Sequence, residues 1–509
     1  MQWDLSKSKF FVLASQNCSI PIRGLLEKIG EIAGTFVKIA DFIRQSQGED
    51  LMLKRFCQFV AQVRQQYLDQ IDQIMQQVTT GSYKGTLYSL VTWVTCEWKE
   101  KFDFISRVIA VKKGQSFANS LYSEVLLLDS AWGQKCFSFS CREYFEHLLI
   151  GTWVTRGHLE QYSFFIVKNL NVKEEEYWAS CYTLDHSKRP DFIGQGLAQK
   201  ILLIGKCRAF MREAMQISCE SSLENLDFES IDHYWIAVQF TSFINTLHAS
   251  INQQLFDTYV TRYATFEHFQ GLRSTLLMQR GDFASILTTS LWNILDKRSN
   301  SIFRHSLLAI LEDCLKTCGL GPKIQERVDI RLFETFEGDL GWDFFCLDYR
   351  SREFAESIVF SPRVMAQYHK IFALLFKVQR ARLTLVKTFE LRSDSRLSHR
   401  KVYHFIERLI WYLHNCIITP RFDRFIRSLD ANHSFEGLIE GHVQLAEGIV
   451  KEMFFEALDP LIYQGYWKVI DLVCKEADCK VIENEIAGVI EKASMYLQCV
   501  EFVACIDSH

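Results

Sequence analysis

Proline is scarce in this chain, and its positions leave long segments in which helices can form without interruption. The six prolines stand at positions 21, 190, 322, 362, 420 and 460 of 509 residues. A proline inside a helix removes a backbone hydrogen bond and clashes with the preceding turn, so the segments between these positions are open to long helices. Apolar residues recur there at helical spacing, as in the series Leu25, Ile29, Ile32, Phe36, Ile39 and Ile43. The sequence therefore predicts an elongated all-α protein.

The spacing of apolar residues also places the individual helices. We predict helices over most of 22–77 and over approximately 196–215, 229–260, 263–297, 302–317, 362–391, 399–430, 434–473 and 480–504. The polar residues 168–191 are predicted to form a loop. Residues 319–360 are predicted to be irregular, with at most a small β-hairpin near 331–360 and a strand-like run at 357–360.

The length of the chain and one polar stretch predict two domains. A chain of 509 residues exceeds the usual size of one domain, about 100–200 residues. Residues 219–226 are polar and interrupt the helical pattern. We therefore expect an N-terminal helical domain over 1–221 and a C-terminal helical domain over 222–509.

Charge and hydropathy argue against two classes of protein. Lys and Arg number 57 and Asp and Glu 61, a formal net charge of −4, whereas domains that bind nucleic acid are usually strongly basic. No apolar run approaches the roughly 18 residues that a membrane-spanning helix needs, and no basic segment precedes an apolar one as in a secretory signal. We expect neither nucleic-acid binding nor membrane insertion. The 16 cysteines include no CxxC pair, which favours reduced, mostly buried thiols.

Motifs that would indicate an enzyme or a cofactor are absent from the sequence. It contains no Walker A sequence, no GxSxG and no HExxH. Cys314 and Cys318 would share one helix face, but zinc needs about four ligands and no second pair has suitable spacing. We predict no metal site, no cofactor and no catalytic activity. An enzyme with an unfamiliar helical site is the alternative, and it requires a deep pocket with clustered acids or histidines.

One stretch departs strongly from the charge balance of the whole chain. Ser361 and Pro362 are suited to the N-cap and first position of a helix. Residues 361–402 then contain ten basic and two acidic residues, a local charge of +8. The basic residues are Arg363, Lys370, Lys377, Arg380, Arg382, Lys387, Arg392, Arg396, Arg400 and Lys401. This stretch is either a solvated helix face or a docking surface for an acidic partner, where charge would set the rate and orientation of binding.

Four segments together resemble the γ-tubulin complex component family. They are YFEHLLIGTWVTRGHLEQYSFFI at 144–166, PDFIGQGLAQKILLIGK at 190–206, LLMQRGDF at 276–283 and the stretch 347–372. The second is the most specific, since seven residues fall in register: Pro190, Phe192, Ala198, Ile201, Leu202, Gly205 and Lys206. In the fourth, Glu353 and Phe354 stand where the family has Trp-Pro, and His369 replaces the usual Asn.

The resemblance implies a fold and a function. It implies two stacked helical-bundle (GRIP) domains, of which 1–221 would contact neighbouring components laterally and 222–509 would bind γ-tubulin. The chain would then be a non-catalytic scaffold subunit that templates microtubule nucleation in the cytoplasm, at the cytoskeleton and a microtubule organising centre (centrosome or spindle pole). The segments NLNVKEEEYWASCYTL and LIWYLHNCIITPRF are most similar to component 5, with component 4 as the alternative.

The basic helix would lie in the half that binds γ-tubulin. Tubulins are acidic, so the charge pattern and the resemblance point to the same surface. We predict the γ-tubulin interface at Arg363, Tyr368, His369, Lys370, Lys377 and Arg380, and we predict that Val364, Ile371, Leu375 and Val378 belong to the core. A helical rod that tethers vesicles is the alternative function, although such rods have no reason to share the registered segments.

Overall fold

A computed structural model describes most of the chain as two compact units. The described residues are 2–4, 9–11, 20–46, 50–111, 117–128, 130–159, 164–173, 176–217, 228, 231–334, 340–389, 396–454, 460–494 and 502–504. The N-terminal unit comprises Met1–Val172 and Trp178–Ile251, and the C-terminal unit comprises Lys173–Tyr177 and Asn252–His509.

The N-terminal unit is built mainly from long helices. In chain order its described elements are β1 Gln2–Asp4, β2 Lys9–Phe11, α1 Ile20–Gln45, α2 Leu51–Thr79, α3 Leu87–Val111, α4 Phe117–Leu128, α5 Ala131–Glu143, a π-helical stretch Tyr144–Val154, β3 Ile166–Lys168, β4 Tyr182–Leu184, α7 Gln195–Glu213 and a π-helical stretch Trp235–Phe240. The short helix α6, Tyr177–Ser180, precedes β4, and α8, Thr241–Tyr263, crosses the division between the units. Helix α1 packs on α3, and α2 packs on α5.

The C-terminal unit has the same helical character. Its further elements are α9 Thr265–Ser274, α10 Gly281–Leu295, α11 Arg304–Thr317, α12 Pro322–Gln325, β5 Val328–Leu332, α13 Gly341–Phe344, β6 Phe345–Tyr349, α14 Phe354–Val359, α15 Pro362–Phe389, α16 Arg396–Tyr412, a π-helical stretch Leu413–Ile418, α17 Thr419–Asn432, α18 Phe435–Met453, α19 Pro460–Cys474 and α20 Cys479–Ser494. The predicted helix 263–297 is divided in two, because the chain turns at 275–280, where Met278 has a left-handed φ of 48°.

These elements confirm the all-α class, and the β structure is limited to small hairpins. The hairpin predicted near 331–360 is the antiparallel pair β5 and β6, in which Val328 faces Tyr349 and Leu332 faces Phe345. The sequence predicted at most one hairpin, but the structure has two further antiparallel pairs, β1 with β2 and β3 with β4. The second of them lies in the region that was predicted to be a loop.

The strand predicted at 357–360 is wrong, since those residues lie in and just after α14. An apolar run this short does not distinguish a strand from a helix turn. The carboxylate of Glu356 decides the outcome. It accepts hydrogen bonds from the backbone N–H of Arg352 at 2.9 Å and from that of Glu353, which caps the helix. Arg327, just before β5, pairs with the same buried carboxylate through Nη2 and Oε1 at 2.6 Å.

The units divide later in the chain than the domain boundary predicted at 221/222. The reason is aromatic packing within the N-terminal unit. Trp235 and Phe240 both contact Phe145 edge to face, with ring centroids 5.3 and 5.1 Å from that of Phe145. The Ile231 backbone N–H also donates to Ser138 Oγ at 3.1 Å. Residues 231–240 are therefore held in the N-terminal unit by two aromatic contacts and a backbone hydrogen bond.

Two of the segments that carry the family resemblance, 144–166 and 190–206, contribute to the core of the N-terminal unit. Trp153 is fully buried, and its indole N–H donates to the Ile201 carbonyl at 2.9 Å. Its ring lies against Gly205, where an added Cβ would fall 1.9 Å from Trp153 Cε2. Gly157 has a φ of 61°, and a Cβ there would lie 2.3 Å from the Ala209 backbone nitrogen. The registered glycines and the tryptophan therefore serve close packing between the π-helical stretch and α7.

Replacing Gly205 by Ala tests this contact. We expect the Gly205→Ala variant to lose about 1–3 kcal/mol of unfolding free energy, because the tryptophan ring has to move away from its hydrogen bond. Urea denaturation followed by tryptophan fluorescence would measure the change. Gly196→Ala is the matched control on the same helix, since nothing lies within 4 Å of its Cβ position. Equal stability of the two variants would contradict the proposed packing role.

Candidate interaction surface

Helix α15 is the central element of the C-terminal unit. It begins at Pro362 as predicted, and its first hydrogen bond runs from the Met365 N–H to the Ser361 carbonyl at 2.9 Å. It packs against α10, α16, α18, α19 and β6. The predicted core stripe is confirmed, because Val364, Ile371, Leu375 and Val378 are each at most 2% exposed.

The basic residues of the interface prediction share one side of this helix. Arg363, Ala366, Lys370 and Ala373 are exposed, and Lys377 and Arg380 are half-buried. These positions follow each other at intervals of three and four residues, which places them in one row along the helix. We call Arg363, Lys370, Lys377 and Arg380 the cationic strip.

Tyr368 and His369, the other two members of the prediction, point into the core. Tyr368 is 0% exposed and His369 is 6% exposed. The hydroxyl of Tyr368 lies 3.0 Å from His442 Nε2, and His442 Nδ1 lies 2.9 Å from the Val359 carbonyl oxygen. Because a carbonyl only accepts, Nδ1 carries the proton of His442 and Nε2 accepts from Tyr368. This placement corrects the sequence-based choice of Tyr368 and His369, and it narrows the candidate surface to the cationic strip.

His369 connects α15 to the β5–β6 hairpin. Its Nε2 lies 2.9 Å from Asp348 Oδ1 on β6. Burial by itself would raise the pKa of Asp348. The hydrogen bond from His369, the hydrogen bond from the Tyr349 N–H and the nearby charge of Arg331 together outweigh burial, and the pKa lies below its usual value. The hydrogen bond between His369 and Asp348 therefore joins α15 to the β5–β6 hairpin.

Members of the cationic strip are partly neutralised by acids from distant segments. Arg363 Nη2 pairs with Glu447 Oε1 of α18 at 2.6 Å. Lys377 Nζ lies 3.2 Å from Asp471 Oδ1 of α19 and 4.0 Å from the centre of the Trp467 ring. Burial would raise the pKa of Asp471, yet hydrogen bonds from Lys475 and Lys377 bring it below its usual value.

The remaining two members of the strip differ from each other. The guanidinium of Arg380 lies 5.0 Å from the centre of the Trp342 ring, and its Nε is buried without a hydrogen-bond partner in the part of the chain that the structure describes. Lys370 is exposed and makes no ion pair with any described residue. Lys370 is therefore the member whose charge is most available to a partner.

The basic residues outside the cationic strip are also partly paired with acids or packed on aromatic rings. Arg382 pairs with Glu407 at 2.6 Å, Lys401 pairs with Glu483, and Lys387 Nζ lies 3.7 Å from the Trp292 ring centre. Arg396 and Arg400 are exposed, whereas Arg392 lies outside the described residues. Four carboxylates, one each from α16, α18, α19 and α20, thus offset half of the local charge of +8. These partners are separated in sequence by up to 94 residues, so no local pattern could reveal them.

Among the described residues the structure has neither a candidate metal site nor a helix that could span a membrane. Cys314 and Cys318 are buried and free, and no group of three or more His, Cys, Asp or Glu residues within the described ranges could hold a metal ion. Nine of the twelve described cysteines are buried. Among the helices that the structure describes, none has the length and apolar character needed to cross a bilayer.

Comparison with known proteins identifies the family. The "Gamma tubulin complex component N-terminal" family matches residues 3–262, and the "Gamma tubulin complex component C-terminal" family matches residues 266–477. The chain belongs to the γ-tubulin complex component family. The two matches meet near the division between the compact units, again later than residue 221.

Individual relatives are moderately similar in sequence. Gamma-tubulin complex component 3 of Homo sapiens is 27% identical over 366 residues, covering 67% of this chain and 38% of the relative. The component 3 homolog of Xenopus laevis is 28% identical over 300 residues, covering 56% and 33%. Spindle pole body component alp6 of Schizosaccharomyces pombe is 28% identical over 290 residues, covering 53% and 33%. The chain thus spans about a third of the length of these relatives. They give no support to the prediction of component 5 or 4.

Protonation of the buried His442 is expected to destabilise the C-terminal unit. Burial lowers the pKa of His442 from 6.5 to about 4, partly opposed by its bond to Val359. Below pH 6.5 the unfolded chain takes up the proton first, so stability falls as the pH decreases towards 4. We expect a loss of about 2 kcal/mol from this residue between pH 8 and pH 5. Urea denaturation at both pH values checks this, and a His442→Gln variant with an unchanged pH dependence would contradict it.

The strip also predicts different stability effects for two lysines on the same face. Lys377→Glu would set a carboxylate against Asp471 and Trp467, so we expect it to lower the unfolding free energy by about 1–3 kcal/mol. Lys370→Glu, at an exposed position, should change it by less than about 0.5 kcal/mol. Thermal denaturation of both variants under identical conditions measures the difference. Equal losses would mean that the Lys377 contacts contribute nothing.

Proposed function

We propose that this chain is a non-catalytic scaffold subunit of a γ-tubulin ring-type complex that templates microtubule nucleation. The observation that carries the proposal is the order of the two family matches, which together span residues 3–262 and 266–477. A chain with both family regions could make two kinds of contact, one with γ-tubulin and one with neighbouring components. The vesicle-tether alternative has no counterpart among the matched families and relatives.

The subunit type that we propose is component 3-like. Relatives from a mammal and an amphibian carry that name, and the similar fission yeast protein is a spindle pole body component. We accordingly place the chain at the cytoskeleton, at a microtubule organising centre. Any nucleotide required for assembly would belong to the tubulin partner.

The two units would divide the contacts between them. We assign γ-tubulin binding to the C-terminal unit and lateral contacts with other components to the N-terminal unit. On the C-terminal unit the cationic strip is the proposed contact surface, with Lys370 and Arg363 at its accessible end. Because exposed charges act mainly on the rate and orientation of docking, apolar neighbours would supply most of the affinity.

Co-migration on a sizing column tests the function. The full chain would be mixed with purified γ-tubulin at about 50 and 300 mM salt, at which the screening of exposed charges differs. We expect a stable complex whose yield decreases at the higher salt. Failure to form a complex at either salt would refute γ-tubulin binding by this chain.

A charge reversal tests the proposed surface. We expect Lys370→Glu to weaken γ-tubulin binding about 3- to 10-fold while the thermal midpoint stays unchanged, because the side chain is exposed and makes no ion pair with described residues. Lys316→Glu on α11 changes the net charge equally and is the control. The affinity of each variant for γ-tubulin immobilised on a sensor surface measures the effect. Equal affinities of the two variants would show that the cationic strip is not part of the interface.

A further inference from the structure

An open cleft in the C-terminal unit lies beside Gln379 and Arg382 of α15, and no residue of the cationic strip lines it. Its volume is about 710 Å³. Its walls come from the end of α9, the turn before α10, α15, α16 and the π-helical stretch Leu413–Ile418. One wall is the registered segment LLMQRGDF, through Met278, Gln279 and Gly281. The scaffold function proposed above gives this cleft no role.

Three guanidinium groups from three helices line the cleft. They belong to Arg273 of α9, Arg382 of α15 and Arg408 of α16, and the carboxylate that lines it with them is Glu407. Arg382 donates its Nε to Glu407 at 2.6 Å. Arg273 donates Nη1 to Asp423 at 3.2 Å and Nε to Gln279. The groups lining the cleft therefore carry a net charge of +2, because one carboxylate faces three cations.

The geometry of the cleft is held by a polar network on its wall. Gln279 Nε2 donates to Thr419 Oγ1 at 2.8 Å, which joins the turn at Met278 to the start of α17. The left-handed Met278 and the π-helical wall are both costly or rare backbone states, and such states are frequent at functional sites. His414 faces the cleft, and burial lowers its pKa to about 4, so its imidazole is neutral at pH 7. The positive charge of the residues that line the cleft therefore comes from the three arginines and not from His414.

The rim of the cleft adds two features. Trp411 lines it and is 51% exposed, which leaves part of the indole available to a flat ligand group. Gly281 lines it as the first residue of α10, a helix of 15 residues whose N-terminus favours negative charge. Arginine suits phosphate because its planar donors bind two oxygens at once.

From this arrangement we propose that the cleft binds a compact phosphate-bearing anion, with Arg273, Arg382 and Arg408 as the phosphate ligands. A free polyphosphate and a nucleotide share this chemistry. A nucleotide would add stacking of its base on Trp411.

Calorimetric titration of the full chain with inorganic tripolyphosphate and with ATP tests the proposal. We expect one site for each, and we expect Arg273→Gln and Arg382→Gln each to weaken binding at least 10-fold. The double variant Arg382→Gln with Glu407→Gln keeps the charge of the lining unchanged, and it should stay weaker than wild type because the donor is missing. Arg421→Gln removes an arginine that is paired with Glu452 and does not line the cleft, so it should bind like wild type.

Comparing the two ligands distinguishes a nucleotide from a free polyphosphate. ATP that binds more tightly than tripolyphosphate, with the advantage lost in Trp411→Ala, supports a nucleotide; equal affinities support a free polyphosphate. The proposal would be refuted if neither probe bound at about 5 mM. It would also be refuted if a folded double variant, Arg273→Gln with Arg382→Gln, bound as tightly as wild type. Binding of a glutamate-rich peptide without binding of tripolyphosphate would overturn the phosphate assignment.

Discussion

The C-terminal unit depends on the burial of α15. Fourteen of its 28 residues are buried, and five neighbouring elements pack on it. Each large apolar side chain removed from water contributes about 1.5–3 kcal/mol, so this helix supplies a large share of the unit's core. Among the buried polar groups, the Tyr368 hydroxyl, the His442 imidazole and the Val359 carbonyl form one series of hydrogen bonds. This series links α15, α18 and the end of α14.

Burial on so many sides restricts what the helix can offer to a partner. Between Arg363 and Arg380 the exposed positions form a single row, and part of its charge is already engaged by Glu447 and Asp471. The surface that a partner meets is therefore less basic than the local composition suggests. Lys370 retains an exposed charge, while Lys377 and Arg380 lie against tryptophan rings and contribute to the packing of the unit.

The segments that reveal the family are mainly packing segments. Trp153 and Gly205 meet in the core of the N-terminal unit, and Tyr368 and Phe372 are buried in the core of the C-terminal unit. A resemblance carried by such residues reports a shared fold. It does not locate the contact surface, because the residues that face a partner are exposed and lie outside these core contacts. For this reason the family could be identified from the sequence, whereas Tyr368 and His369 were wrongly placed at the surface.

Much of the fold could be predicted from local pattern. Proline positions and apolar spacing predicted most helices, including the start of α15 at Pro362, and the core stripe of that helix, because both depend on residues within a few turns. Short apolar runs were less informative, and the turn at 357–360 became helical through the capping of α14 and a buried ion pair with Arg327.

The candidate site was only partly predictable. Its cationic row follows from helical spacing, and the sequence by itself determined the helical class, the family and that row. The tertiary structure alone decided which charges are balanced, which aromatic residues are buried and where three arginines from separate helices converge on one cleft. The physical reason is distance along the chain: Lys377 and Asp471 are 94 residues apart, and only the packing of α15 against α19 brings them together.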